Sequence, residues 1–568
     1  MSSGTAESPS RQPGRAPLLL LALLSGACDK ASTPSSDVEF VDGASAAGVV
    51  QPHTDGSSGK YFIAETLASG VILFDFDLDG NLDIYLPNGR PLPPTPTGNA
   101  SLSNSLYRNG GNRTFTDVTR EKGVPGTGFG VGGAAGDYDG DGDLDLYVCQ
   151  FGPNVLYRNN GKDSGFTFTD VTREAGCDDL RMSAGACFFD LDLDGDLDLY
   201  VTNYCKDDMK HSDPFYQGKS PRYFAPSHYE PEDDSLFLNL GNGTFRDVTE
   251  EAGVKVKNSG RGMGVVASDL DRDGWPDVYI ANDGSEKFLF HNLKNGKLEE
   301  IGMRTGTALS SEGDETGSMG VDVADFNRDG KADIIVTNFQ KQLNDLYRNN
   351  GSLFFSDVPM AHGLGESCLP LVSWGVKLFD ANNDGWLDLF IANGHLEDHV
   401  EDYDSSTTYL QAWQFFRNAG DGQFKDESQR AGPPFLQKYS SRGAAFGDLD
   451  NDGDVDIVVC NSRGRPSLLW NQRGSQKSWA LLSLQGKKNR FAVGAFVKLT
   501  AGGVSQIAEV HAGSSYVSQN DLRLHFGLGD ASTIDSVDVD WPGGARETFR
   551  ALPARKIIVL TEGTGEPR

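Results

Sequence analysis

The chain is short of positive charge: its 568 residues carry 50 Lys and Arg against 81 Asp and Glu, a formal net charge of −31. A surface of that sign has no basic footprint for a phosphate backbone, which excludes nucleic acid as a partner. Cysteine is scarce too, at seven residues, and no CxxC pair, HExxH helix, Walker loop or nucleophile elbow occurs. No catalytic residue is therefore assigned from motifs; a non-enzyme is the favoured reading, with enzyme alternatives left open. Long helical periodicities are few. Glycine is abundant instead, at 69 residues, beside 38% hydrophobic and 10% aromatic residues. That balance describes a turn-dense, all-β protein with a core, not an acidic disordered chain, and the length exceeds one ordinary domain.

The start of the chain reads as an export signal. Arg11 and Arg15 precede an apolar run, Ala16 to Leu24, followed by Ser25, Gly26, Ala27 and Cys28. The run is too short to span a bilayer. It is similar to a bacterial lipoprotein signal, with Leu24 one residue further from the cysteine than usual, so Cys28 is the candidate lipidation site and plain secretion the alternative. Residues 1–28 are assigned to the signal and 29–37 to a flexible Ala/Ser/Thr/Pro-rich tether. Of the remaining cysteines, Cys149 and Cys460 fall in apolar strands and are expected in the core. Cys177, Cys187 and Cys205 are the candidates for a disulfide, and Cys368 completes an even count.

A nine-residue pattern occurs seven times, starting at Asp75, Asp137, Asp190, Asp269, Asp325, Asp380 and Asp448. Five residues before each start stands a glycine, from Gly70 to Gly443. This predicts innermost strands with no room for a side chain around a central axis. After each loop come a β-rich run, a second run ending in Asn (LYRN at Leu106 to Asn109) and a return through FxD (Phe115, Asp117), so one repeat holds four strands. The last repeat lacks its FxD, while an orphan copy, Phe40-Val41-Asp42, precedes the first. Ring closure follows: a seven-bladed β-propeller over 38–475, its seventh blade completed by the early strand, with a small β-domain over 476–568.

Spacing assigns the aspartates to a hard cation. Positions 1, 3, 5 and 9 of the seven loops are Asp75, Asp77, Asp79 and Asp83; Asp137, Asp139, Asp141 and Asp145; Asp190, Asp192, Asp194 and Asp198; Asp269, Asp271, Asp273 and Asp277; Asp325, Asn327, Asp329 and Asp333; Asp380, Asn382, Asp384 and Asp388; Asp448, Asp450, Asp452 and Asp456. Position 6 is always glycine, which permits a sharp turn. Position 7 (Asn81, Asp143, Asp196, Trp275, Lys331, Trp386, Asp454) shares no side-chain chemistry, so it is expected to offer its backbone carbonyl. Oxygen donors at this density fit calcium, about seven ions per chain, with the two Asn-bearing loops weaker.

These residues carry a family resemblance. The GxxxxDxDxDGxxD repeat resembles the FG-GAP/VCBS repeats of integrin-α-like propellers. The tail, with Trp479-Ala480-Leu481-Leu482, Gly513 to Asn520 (GSSYVSQN), His525 to Gly529 (HFGLG) and Trp541-Pro542-Gly543-Gly544, resembles the ASPIC/UnbV domain. Together they look like bacterial relatives of cartilage acidic protein 1. The resemblance implies an exported calcium-binding propeller with a small C-terminal β-domain, and a biochemical role that is poorly defined across the family. The favoured reading is an adhesion, scaffold or ligand-binding protein, secreted or lipid-anchored at the cell envelope. An extracellular protein or glycan is the expected partner, and the membrane is met only through Cys28.

Two further constellations are set apart. His395 and His399, in Asn393 to His399, are placed to sit one helical turn apart and hold a transition metal, the basis of a metalloenzyme alternative. Arg261, Met263, Trp374 and Arg442 lie just before the repeat loops and are expected to line the channel, the basis of a carbohydrate-binding or carbohydrate-active alternative.

Overall fold

The pairing of strands follows the repeat. In the computed structural model, which describes Met1 and residues 37–92, 103–126, 128–206, 214–257 and 260–568, each repeat forms a four-stranded antiparallel unit. Blade 1 runs Ile72–Phe74, Asp83–Leu86, Ser105–Asn109 and Phe115–Asp117, and blades 2 to 6 repeat this order. The degenerate return strand of the fourth repeat is present as Leu298–Glu300. Blades 4 and 5 join into one sheet where Asp283 and Ser285 pair with Gly317 and Thr316.

The seventh blade combines Ser441–Gly447, Asp456–Asn461 and Ser467–Asn471 with Phe40–Asp42, whose register sets Phe40 opposite Asn471 and Asp42 opposite Leu469. The innermost strand of each blade packs on that of the next, and the strand of blade 7 packs on that of blade 1, so the ring is closed. The proposed signal, the tether up to Ser36 and Cys28 lie outside the described residues. Among the described residues no helix is long and apolar enough to cross a membrane.

Residues 478–567 form two further sheets. One orders Leu524–Gly529, Ser478–Gln485 and Lys556–Thr561; the other orders Val504–Glu509, Phe496–Ala501, Thr533–Asp540, Arg546–Pro553 and Glu566–Pro567. Their apolar faces share a core with blades 2 and 3 through residues such as Tyr138, Phe188, Leu482 and Phe526. Asp37–Arg568 accordingly forms one compact unit.

The segment between Glu509 and Leu524 fills the hub of the ring. Ser515 exchanges backbone hydrogen bonds with Val321 of blade 5, Gln519 pairs with Val71 and Leu73 of blade 1, and Ala512 accepts from Phe188 of blade 3. Tyr516, fully buried, donates its hydroxyl to Leu67 O at 3.0 Å. The recurrence of the hub glycines from repeat to repeat now has its reason. A Cβ at Gly70 would stand 2.0 Å from Val517 O of this plug, and one at Gly320 2.2 Å from Trp374 O of the next blade.

The asparagines that end the third strands tie the blades together. Asn109, Asn159, Asn239, Asn292, Asn349, Asn418 and Asn471 each donate Nδ2 to a carbonyl in the loop of the preceding blade: Leu449, Phe76, Tyr138, Leu191, Leu270, Phe326 and Ala381, at 2.7–3.0 Å. Asn159 is fully buried, so Asn159→Ala leaves two carbonyls and the Gly161 N–H without partners. A loss of about 3 kcal/mol in denaturant unfolding is expected.

The predicted bridge among Cys177, Cys187 and Cys205 does not form: Cys177 and Cys187 are buried free thiols, and Cys205 is buried likewise. Cys149, Cys368 and Cys460 are also buried and unbridged. All six are buried, which fits small core residues.

Candidate metal loops

Each acidic loop links the first strand of a blade to the second, and its shape comes from its own carboxylates. In blade 1, Asp75 accepts from the backbone N–H groups of Asp79 (3.1 Å) and Gly80 (2.8 Å), and Asp79 accepts from Asn81 N. Gly80 has φ 87°, and the other six position-6 glycines lie between 84° and 96°. Position 4 is left-handed as well, at Leu78, Gly140, Leu193, Arg272, Arg328, Asn383 and Asn451. For Leu and Arg that conformation is uncommon and costs energy, so the loop spends stability to converge its carboxylates.

Asp83, the ninth residue, is fully buried. One oxygen accepts from Asn109 N at 2.7 Å and the other from Phe76 N at 3.1 Å, fixing loop and strand together. Burial pushes its carboxyl well above the ordinary range, as it does for Asp145, Asp198, Asp333, Asp388 and Asp456. The first carboxyl of every loop is also lifted, again chiefly by burial. Asp75 and Asp325 rise to about 6, and Asp137, Asp190, Asp269, Asp380 and Asp448 to about 7.

Five loops bring three ligand atoms within 4.8 Å of one another: Asp75, Asp77 and Asp83; Asp137, Asp139 and Asp145; Asp190, Asp192 and Asp194; Asp448, Asp450 and Asp456; and Asp271, Asp273 and His291. Asp77, Asp137, Asp139 and Asp192 each keep a buried carboxylate oxygen with no hydrogen-bond partner. Clustered, desolvated carboxylates with spare lone pairs are the donor set a hard divalent cation satisfies. Some are already balanced by arginine: Arg108 sits 2.5 Å from Asp77, and Arg113 of blade 1 reaches Asp450 and Asp452 of blade 7.

The two loops with Asn at position 3 behave differently. Asn382 donates to Asp384 at 3.0 Å and to Asp37 at 2.9 Å, and Asn327 donates to Asp333 at 3.4 Å. Here the amide N–H groups supply part of the positive partner that the carboxylates require. Trp386, at position 7 of blade 6, lies under the Arg328 guanidinium at 3.7 Å.

The C-terminal sheets sit on this loop face. Lys488 donates to Asp194 O, Glu509 accepts from Ser268 Oγ (2.7 Å) and Asp269 N (3.2 Å), Arg523 donates to Asp448 O (2.9 Å), and Gly529 N donates to Asn383 O (2.8 Å). Between them and blades 4 to 7 lies a cavity of about 140 Å³ with walls including Phe379, Phe446, Phe496 and Phe526, and with Lys377 and His511 at its edge.

The other two constellations differ from expectation. Residues 394–399 form loop and turn, not a helix. His395 is buried, its Nδ1 accepts from Glu397 N at 2.9 Å and its Nε2 meets Gln340 Oε1 at 3.2 Å; burial lowers it to about 3, so the ring is neutral and fully engaged. His399 is half-exposed beside Asp398 and Asp402, each at 3.8 Å. Nor do Arg261, Met263, Trp374 and Arg442 line an open channel. All four are buried. Trp374 meets the Tyr516 ring edge-on at 4.9 Å, Arg442 stacks over Trp374 at 4.1 Å and donates to Thr66 O, Met263 packs in the same cluster, and Arg261 donates to Tyr229 O. The plug occupies the space the sequence reading left for a ligand.

The fold and these loops define a seven-bladed propeller with acidic, cation-type loops capped by a second β-region. The chain belongs to the FG-GAP-like repeat family, whose model matches residues 75–148, 137–201, 224–280, 269–336, 325–391 and 380–459; the ASPIC and UnbV model matches 485–567. It is 26% identical to cartilage acidic protein 1 of Mus musculus over 498 residues, covering 84% of this chain and 70% of that protein. It is 25% identical to the Homo sapiens protein of the same name over 430 residues, covering 73% and 60%. Among solved structures, an Agrocybe aegerita lectin that recognises non-reducing terminal N-acetylglucosamine is similar at TM-score 0.37 and 15% identity, covering 72% of this chain and 96% of that one.

Proposed function

We propose that the protein is an exported, calcium-stabilised propeller that works at the cell surface as an adhesion or scaffold protein. The observation that carries this reading is the set of acidic loops with partnerless buried carboxylate oxygens, repeated around the ring. They suit calcium better than magnesium, which demands stricter octahedral geometry, and millimolar extracellular calcium makes even weak sites usable.

The binding surface is placed on the face opposite the loops, because the loop face is covered by the C-terminal sheets and the hub is filled. That opposite face carries long inserts between second and third strands. In the insert of blade 3, the hairpin Phe215–Gln217 and Ser220–Arg222 reaches blade 6 through Ser220 and Asp402 (2.7 Å), and it leaves Phe215 and Tyr216 exposed. An extracellular protein or glycan is the ligand class such an aromatic, adaptable surface takes.

Elemental analysis of residues 37–568, purified without chelator or nickel, tests the metal part. About seven calcium ions per chain are expected, and near-zero calcium at millimolar supply refutes it. Retention of the labelled chain on matrix-coated plates or cell envelopes tests the surface: Phe215→Asp with Tyr216→Asp is expected to abolish retention at unchanged calcium content. Equal retention would move the binding surface elsewhere.

A further inference from the structure

The seven loops are repeats of one design, so each serves as a control for the others, and blade 4 departs from them. The fourth residue of its third strand, Phe288–Asn292, is His291, where blades 1, 2, 5 and 6 carry Arg108, Arg158, Arg348 and Arg417. His291 Nδ1 lies 2.9 Å from Asp277 Oδ1. Because a carboxylate only accepts, that hydrogen bond puts the proton on Nδ1 and leaves the imidazole lone pair on Nε2. A ring nitrogen of His291 and one oxygen each from Asp271 and Asp273 lie within 4.8 Å of one another, which makes this the one mixed nitrogen and oxygen group among the described clusters.

A second observation falls on the ninth residue. In blades 1, 2, 3, 6 and 7 its Oδ2 accepts from the backbone N–H of the second loop residue. In blade 4 Asp277 Oδ2, on a side chain only 1% exposed, has no hydrogen-bond partner. A buried anionic oxygen left spare beside a carboxylate-oriented imidazole is the arrangement that supports a borderline metal, with the carboxylate fixing the ring and raising its basicity. Lys294, 2.8 Å from Asp273, is the competing positive group, and it is solvent-facing and displaceable.

We infer that the loop of blade 4 is a transition-metal site of the zinc class, built by His291, Asp271 and Asp273 with Asp277 behind the imidazole, set within a ring of calcium loops. Imidazole discriminates in favour of zinc-class ions, which hard oxygen-only loops do not. The inference rests on the cation reading of the loops and deepens it for one of them.

The test uses the full chain in millimolar calcium chloride, titrated with zinc chloride and, in parallel, with cobalt(II) read by visible absorption. About one zinc per chain is expected to remain bound against calcium, with cobalt absorption typical of nitrogen ligation. His291→Arg, which installs the residue four other blades use, and His291→Gln are expected to weaken zinc binding at least tenfold, as loss of a ligand or its support does (~10–100-fold), with calcium content at the other loops unchanged. Retention of zinc in both variants, its loss in His399→Ala instead, or no zinc bound in calcium at all would each overturn the inference. Absence of calcium from every loop would refute the reading beneath it, while the zinc titration would still report on blade 4 alone.

Discussion

Removing calcium is expected to lower the unfolding temperature by about 10 °C or more, and raising the pH should deepen the loss. Each folded-state site contributes about 2.7 kcal/mol when free calcium exceeds its Kd a hundredfold. Several such sites in one closed ring sum to a large share of the stability of a chain this size. The pH dependence follows from the lifted carboxyls. In the metal-free protein the first Asp of each loop is raised to about 6 or 7 by burial, above the unfolded value near 3.9. A carboxyl raised on folding favours the fold while protonated, below its unfolded pKa, and that contribution disappears as pH climbs through the folded value. Metal-free protein is therefore expected to be more stable at pH 5 than at pH 7.5. Calcium competes with those protons and should reverse the order. Calorimetric scans with chelator and with calcium at both pH values read all four states, and a metal-free protein that gains stability between pH 5 and 7.5 would contradict the account.

The second large effect concerns the hub. Tyr516→Ala is expected to cost about 4 kcal/mol, since it deletes a fully buried aromatic ring where large-to-small core changes cost about 3–5 kcal/mol. It also removes the donor to Leu67 O and the edge that meets Trp374. Tyr516→Phe keeps the ring and loses one hydrogen bond, about 1 kcal/mol. Denaturant unfolding measures both, and limited proteolysis adds a readout: with the plug weakened, cleavage near residue 476 should release the C-terminal sheets far faster than from the parent chain. Equal protease resistance in Tyr516→Ala would show that the loop-face contacts of Glu509, Arg523 and Lys488 hold this region without the plug.

How much of this was legible in the sequence depends on whether a feature repeats. The four-strand blades, the ring closure through Phe40–Asp42 and the position-6 glycines were legible because seven copies expose the pattern. The asparagines were visible as a pattern, yet their role was not, since each Nδ2 acts on the neighbouring blade rather than its own. Left-handed Leu78, Leu193 and Arg272 gave no signal, because those residue types ordinarily avoid that conformation. The plug occurs once and carries no period, and its partners Leu67, Val71 and Val321 are distant in sequence, so the sequence pattern assigns Arg261, Met263, Trp374 and Arg442 to a channel lining that the plug fills. His291 was hidden by lying outside the loop whose cluster it joins.

The seam between Phe40–Asp42 and Ser467–Asn471 also dictates an order of assembly. The early strand leaves the ribosome long before its partner exists, so it has to wait unpaired, and blade 7 stays three-stranded with a bare edge until the two meet. Gly513 to Asn520 arrive later still, and only then is the hub filled. A chain interrupted anywhere ahead of that segment presents an open seam or a hollow axle, so an unfinished molecule exposes backbone and apolar surface that the finished ring keeps covered.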